Sequence, residues 1–167
     1  MRARLGIVAL ALLLSACGSG SETASSDVPD ATESTTAAVA ASFAAPVDLG
    51  NGVSITISEP ASFTPGDFAS NYLPGQTADL FTVDITNSGA DALDLSTITL
   101  SAMSGANVCM DVLDGDNGIN GAPTDPVAPG ATSSFKYGIA CDAKAGDDLA
   151  ITVAVGETNI ALKGALA

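Results

Sequence analysis

From Pro46 onward, apolar residues return at every second position in short runs. Val53, Ile55 and Ile57 form one such run, and Phe81, Val83 and Ile85 another. Val108, Met110 and Val112 repeat the pattern, as do Phe135, Tyr137, Ile139 and Cys141. Leu149, Ile151, Val153 and Val155 follow, then Ile160 and Leu162. Successive side chains of a strand point to opposite faces, so this alternation predicts strands with one buried face. Leu93 and Leu95 stand in one phase, and Ile98, Leu100 and Ala102 in the other. That shift predicts a bulge between them. Turn-forming residues lie between the runs: Asn87-Ser88-Gly89, Gly115 to Gly121, Pro129-Gly130, Gly146-Asp147 and Gly156. No window of helical length after Pro46 keeps a helical period. The pattern predicts one all-β domain over residues 46–167, a sandwich of about seven or eight antiparallel strands. Its length, about 120 residues, is enough to bury a core.

The first 45 residues read differently. Arg2 and Arg4 precede an apolar run from Leu5 to Leu14, and small residues follow. This is the layout of a secretory signal peptide, and the run is too short for a membrane-spanning helix. Leu14-Ser15-Ala16-Cys17 resembles the lipobox of bacterial lipoproteins. The resemblance implies cleavage after residue 16 and acylation of Cys17, which would then tether the chain to a membrane. More than one acyl chain is what stable anchoring requires. Residues 17–45 are rich in Ser, Thr and Ala, with scattered acids and one aromatic, Phe43. Such a segment buries too little to offset its ordering entropy, so it is expected to be a disordered tether reaching roughly 30 Å.

With Cys17 assigned to the lipid, Cys109 and Cys141 remain as an even pair in an exported chain, and a disulfide between them is expected. Neither shows the C-x-x-C spacing of a redox pair, and both have an acidic neighbour, Asp111 or Asp142. The spacing of Met103 and Met110 suits core packing, where Met fills gaps.

The acidic stretch DVLDGDNGING at 111–121 offers oxygen ligands, with Asp114, Asp116 and Asn120 as candidates for a weak calcium site. It lacks the Gly and Glu positions of an EF-hand loop. The same residues are also those expected in a solvated turn. No other cofactor is expected.

Composition narrows the chemistry further. The chain holds 5 Lys+Arg against 19 Asp+Glu, a net charge of −14, with no His and no Trp. Loss of residues 1–16 removes both arginines and leaves 3 basic residues against 19 acidic ones, a charge of −16. Absence of His excludes imidazole-based catalysis and His-ligated metals. Such acidity excludes neutralisation of a phosphate backbone, so no nucleic acid is expected as partner. Gly115, Gly118 and Gly121 precede no Lys-Ser/Thr pair and open no helix, so they make no phosphate loop. Lys136, out of phase with Phe135 and Tyr137, is expected on a solvent face. No enzyme is expected.

Two segments carry a resemblance. LFTVDITNSGADALDLSTITL and VAPGATSSFKYGI resemble immunoglobulin-like domains of unknown function in lipoproteins of Gram-positive, actinobacterial-type bacteria. The matching positions are Val83, Ile85, Asn87, Gly89, Pro129, Gly130 and Phe135. The resemblance implies an immunoglobulin-like β-sandwich without catalytic residues on the outer side of a cell membrane. The expected role is a lipid-anchored binding module of the cell envelope, with a surface or envelope protein as partner. An anchored carrier of an ion or small solute is the alternative.

Overall fold

A computed structural model describes residues 37–167. The expected signal peptide, Cys17 and the tether as far as residue 36 lie outside the described residues. Ten strands make the fold: β1 (Val39–Ala41), β2 (Val47–Gly50), β3 (Val53–Ile57), β4 (Ala61–Ser62) and β5 (Thr77–Asn87). After them come β6 (Thr99–Ser104), β7 (Asn107–Val112), β8 (Ala131–Cys141), β9 (Asp148–Val155) and β10 (Thr158–Ala165). The only helical element among the described residues is one 3-10 turn, Gly115–Asn117.

The strands run in the order β1-β10-β9-β6-β7-β8-β5-β3-β2, with β4 beside β5. The ladder folds on itself into a sandwich that approaches a barrel. Its two faces meet through the alternating residues. In β5, Phe81, Val83 and Ile85 point inward opposite Tyr137, Phe135 and Ser133 of β8. Ile55 and Ile57 of β3 pair with Ile85 and Val83. From the other layer, Ile151 and Val153 of β9 pair with Leu162 and Ile160 of β10. These buried side chains form one continuous core, with Leu95, Ile98, Val127 and Leu166 packed into it.

The domain starts earlier than the expected boundary at residue 46. β1 lies parallel to β10, with Val39 opposite Ile160. The chain then crosses to the other layer, where the Ala44 amide donates to the Ile57 carbonyl at 2.7 Å and β2 pairs with β3. Phe43 sits at the crossing, buried, with its ring stacked on Phe81 at 5.9 Å between centroids. The expected tether therefore gives up its last residues to the sandwich. An Ala-rich run carries little apolar contrast, so the sequence hides this strand. A second difference concerns Leu93 and Leu95. They belong to no strand: Leu93 makes a single bridge to Val127, and Leu95 is buried within a turn.

The Asn-x-Gly turn after β5 is held by a fully buried Asn87. Its Nδ2 donates to the carbonyls of Asp91 and Val127, both at 2.8 Å. Its Oδ1 accepts the Gly89 N–H at 3.0 Å. A Cβ at Gly89 would lie 2.4 Å from the Asn51 carbonyl oxygen, so only glycine fits beneath the neighbouring turn. Gly130, in the Pro-Gly turn before β8, donates to the Asn87 carbonyl at 2.7 Å. One buried amide and its backbone thus tie together segments that the sequence motif merely lists.

Candidate functional site

β7 belongs to both layers. Its first half pairs with β6, placing Cys109 opposite Ala102. Its second half pairs with β8, placing Met110 opposite Ala140 and Val112 opposite Gly138. The change of partner falls at Cys109, which bonds to Cys141 at the end of β8, as expected, with Cα atoms 4.3 Å apart. Beyond that clip β6 and β8 separate. Among the described residues, Thr99–Ser101 of β6 and Ala131–Tyr137 of β8 have no strand partner on the edges that face this seam.

The seam holds a cleft of about 320 Å³ between Ile98 and Leu100 on one side and Ile119, Lys136 and Tyr137 on the other. Asp111 also lines it, and the Tyr137 hydroxyl donates to Asp111 Oδ1 at 2.5 Å. Burial, reinforced by the Asp111 carboxylate, pushes the Tyr137 phenol far above its ordinary range. The phenol stays neutral and acts as a donor, not as a base or nucleophile. Lys136 is exposed, as expected, and its Nζ donates to the Asn117 carbonyl at 2.8 Å.

The structure gives Asp114 a capping role. Its carboxylate accepts the Gly66 N–H at 2.8 Å, the Asn117 Nδ2 at 2.8 Å and the Asp116 N–H at 3.2 Å. Those donors, Gly66 first, hold its carboxyl below the usual carboxylate value. Asp116 and Asn120 are exposed. Among the described residues no group of three or more His, Cys, Asp or Glu side chains stands where it could hold a metal ion. The acidic loop staples residues 64–66 to the end of β7, and Ile119 packs beneath it, where a Cβ on Gly138 would lie only 2.8 Å from its Cδ1.

The phase of β7 differs from expectation. Cys109 points into the core, so Val108 and Met110 point out, and Val108 is 66% exposed. Met103, opposite Val108 on β6, is exposed too and does not fill the core. The segment beside β7 continues the apolar character. Ser70 bridges to Leu113, and the Asn71 Nδ2 donates to the Asp111 carbonyl at 3.0 Å. This brings exposed Leu113 together with a loop carrying Phe68, 93% exposed, and Leu73, 68% exposed. The sequence signalled these residues only as apolar; which of two alternating sets faces water is set by the distant Cys141.

One buried carboxyl group lies at the opposite end of β5. Asp79 is fully buried; its Oδ2 accepts the Ala167 N–H at 3.0 Å, and its Oδ1 has no partner among the described residues. Burial raises its pKa, opposed by that single hydrogen bond. The folded state therefore resists ionising Asp79, and its stability falls as pH rises through the raised value. Asp114 acts in the opposite sense, losing its contribution only below the ordinary carboxylate range. The unfolding midpoint is expected to rise as pH falls through the raised Asp79 value and to fall again in stronger acid, below the ordinary carboxylate range. Asp79→Asn should flatten the rise in a denaturant series across pH; an unchanged rise would assign it to other acids.

No family model matches this chain, and no curated protein does either. Solved structures do. A candidate lipoprotein, ycdA of Bacillus subtilis, superposes with a TM-score of 0.56 at 11% identity, over 70% of this chain. The likeness is one of fold. This chain spans 37% of the length of ycdA. An uncharacterized β-sandwich protein of Clostridium difficile matches 76% of this chain and 94% of its own, at 14% identity and a TM-score of 0.47. A FixG-related protein of Vibrio parahaemolyticus matches 70% of this chain and 96% of its own, at 11% identity and a TM-score of 0.44. Among the described residues no helix is long and apolar enough to cross a membrane.

Proposed function

We propose that this chain is a lipid-anchored, non-catalytic binding module on the outer side of a cell membrane, and that its partner is another protein of the cell envelope. The observation that carries the reading is the outward apolar strip: Met103, Val108 and Met110 on β6 and β7, with Leu113 beside them. Exposed apolar side chains gathered on neighbouring strands mark contact surfaces more often than scattered ones do. Residues 37–167 hold three lysines against fifteen acidic residues, so the strip sits on a strongly acidic body. That balance favours basic partners and repels anionic polymers. The lipobox resemblance at Cys17 supplies the anchor, and the immunoglobulin-like resemblance, without catalytic residues, agrees with a binding role.

In-cell cross-linking followed by mass spectrometry tests the reading. The wild-type chain is expected to enrich one or two envelope proteins, and Val108→Asp with Met110→Asp to lose them at equal abundance. Cys17→Ala should release the chain from the membrane fraction. Equal enrichment with the double aspartate variant would remove the strip from the reading.

A further inference from the structure

We propose that the open edge of β8 along the seam is a strand-addition site for an extended basic segment with apolar residues at alternate positions. This goes beyond the apolar strip, although it rests on the same reading of the chain as a binding module. The backbone makes the first argument. Ala131–Tyr137 of β8 pairs with β5 on one side and, among the described residues, with no strand on the other. β7 reaches only Gly138–Ala140. An unpaired edge offers a row of N–H and C=O groups that an extended chain can satisfy.

Space makes the second. The seam cleft of about 320 Å³ continues into a second of about 460 Å³, and the two share Gly121, Ala122 and Lys136. Together they form a groove whose floor is Ser134 to Tyr137 and whose outer wall is the 118–124 loop. A strand advances about 3.3 Å per residue, so a segment of four or five residues fills such a length. Side chains of an added strand alternate between the two faces. One set meets the seam lining of Ile98, Leu100 and Ile119. The other points to solvent above a body that holds fifteen acidic residues against three lysines over residues 37–167.

Charge selects the occupant. A second copy of residues 37–167, with three lysines against fifteen acids, would bring its own excess of twelve negative charges to the same edge. Like charge disfavours that pairing, whereas a lysine- or arginine-rich strand is drawn in. Lys136 keeps its positive charge while its ammonium donates to the neutral Asn117 carbonyl, and it is one of three lysines set against fifteen acids over residues 37–167.

The test uses the full chain in detergent and two labelled heptapeptides, one alternating Lys and Val, the other Glu and Val. The Lys/Val peptide is expected to bind at least tenfold more tightly than the Glu/Val peptide. It should also slow amide exchange within residues 131–137. Ala122→Trp, at an exposed position shared by both clefts, should weaken binding at least tenfold with the fold intact by circular dichroism. Ser62→Ala, exposed on β4 and lining neither cleft, should leave peptide binding unchanged, while the cross-linking of the double aspartate variant reads the strip on β7 separately. Equal binding of both peptides, protection elsewhere, or indifference to Ala122→Trp would overturn the proposal. So would a dimer that Ala122→Trp dissolves, because the edge would then serve a second copy.

Discussion

Phe81→Ala is expected to lower the stability of the folded domain by about 3–5 kcal/mol, the range for removing a fully buried aromatic ring from a core. Phe81 is completely shielded from solvent. Its ring lies between Phe43, 5.9 Å away, and Tyr137, 6.2 Å away. The loss has two parts: the transfer of apolar surface back from water and the cavity left between two rings that cannot both close on it. Total stabilities of single domains run about 5–15 kcal/mol, so this one ring decides a large share. The site offers little slack. A Cβ at Gly164 would stand 2.8 Å from the Phe43 ring, so β10 already touches that aromatic from the other layer. Urea unfolding followed by circular dichroism reads the effect as a shift in midpoint. A loss below about 1 kcal/mol would mean that the core closes around the gap, contrary to the close packing expected of protein interiors. The consequence reaches the first strand. Phe43 is the pin that fastens the incoming chain to both layers, so a gap at Phe81 should also free Val39–Ala41 to exchange with solvent.

Much of the fold was legible because alternation is a local signal. β3, β5, β8, β9 and β10 each carry most of their large apolar residues on one face, and the structure places Ile55, Phe81, Val83, Ile139, Ile151 and Ile160 inside. The signal failed where burial depends on something distant. β1 is nearly all Ala and Val, and it becomes a strand only because β10 lies parallel beside it. The end of β8 is buried on both faces, since Ile119 and the capped acidic loop cover Gly138 from outside. Asp114 read more readily as a residue of a solvated turn than as a cation ligand. Its partners at Gly66 and Asn117 give it the work of a cap, and Gly66 is too far along the chain for any spacing rule to find. The candidate binding surfaces were the least legible part. A strip is defined by what remains uncovered, and an open strand edge by the partner it lacks. Both are properties of the assembled sheet.

Those uncovered surfaces depend on the disulfide, which gives the second large effect. Replacing Cys109 and Cys141 together by alanine is expected to cost about 3–4 kcal/mol, the chain-entropy estimate for a closed loop of this size. The two cysteines are 32 positions apart and both are buried. Reductant should therefore act slowly on the folded protein and quickly once urea opens it, so the double variant is the cleaner comparison. A loss below about 1 kcal/mol in urea unfolding would show that the unfolded chain gains little freedom from the cut. The clip does more than shorten a loop. It fixes Cys109 inward at the residue where β7 passes from β6 to β8, and so turns Val108 and Met110 outward. A one-residue slip of β7 would exchange those faces. The uncut chain should hold one register, while the double variant should expose a fraction in which Val108 and Met110 turn inward. Amide exchange along Asn107–Val112 should then quicken more than exchange along Asp148–Val155, which the clip does not touch. Uniform quickening of both strands would tie the disulfide to global stability alone. Selective quickening at β7 would tie it to the presentation of the proposed contact strip.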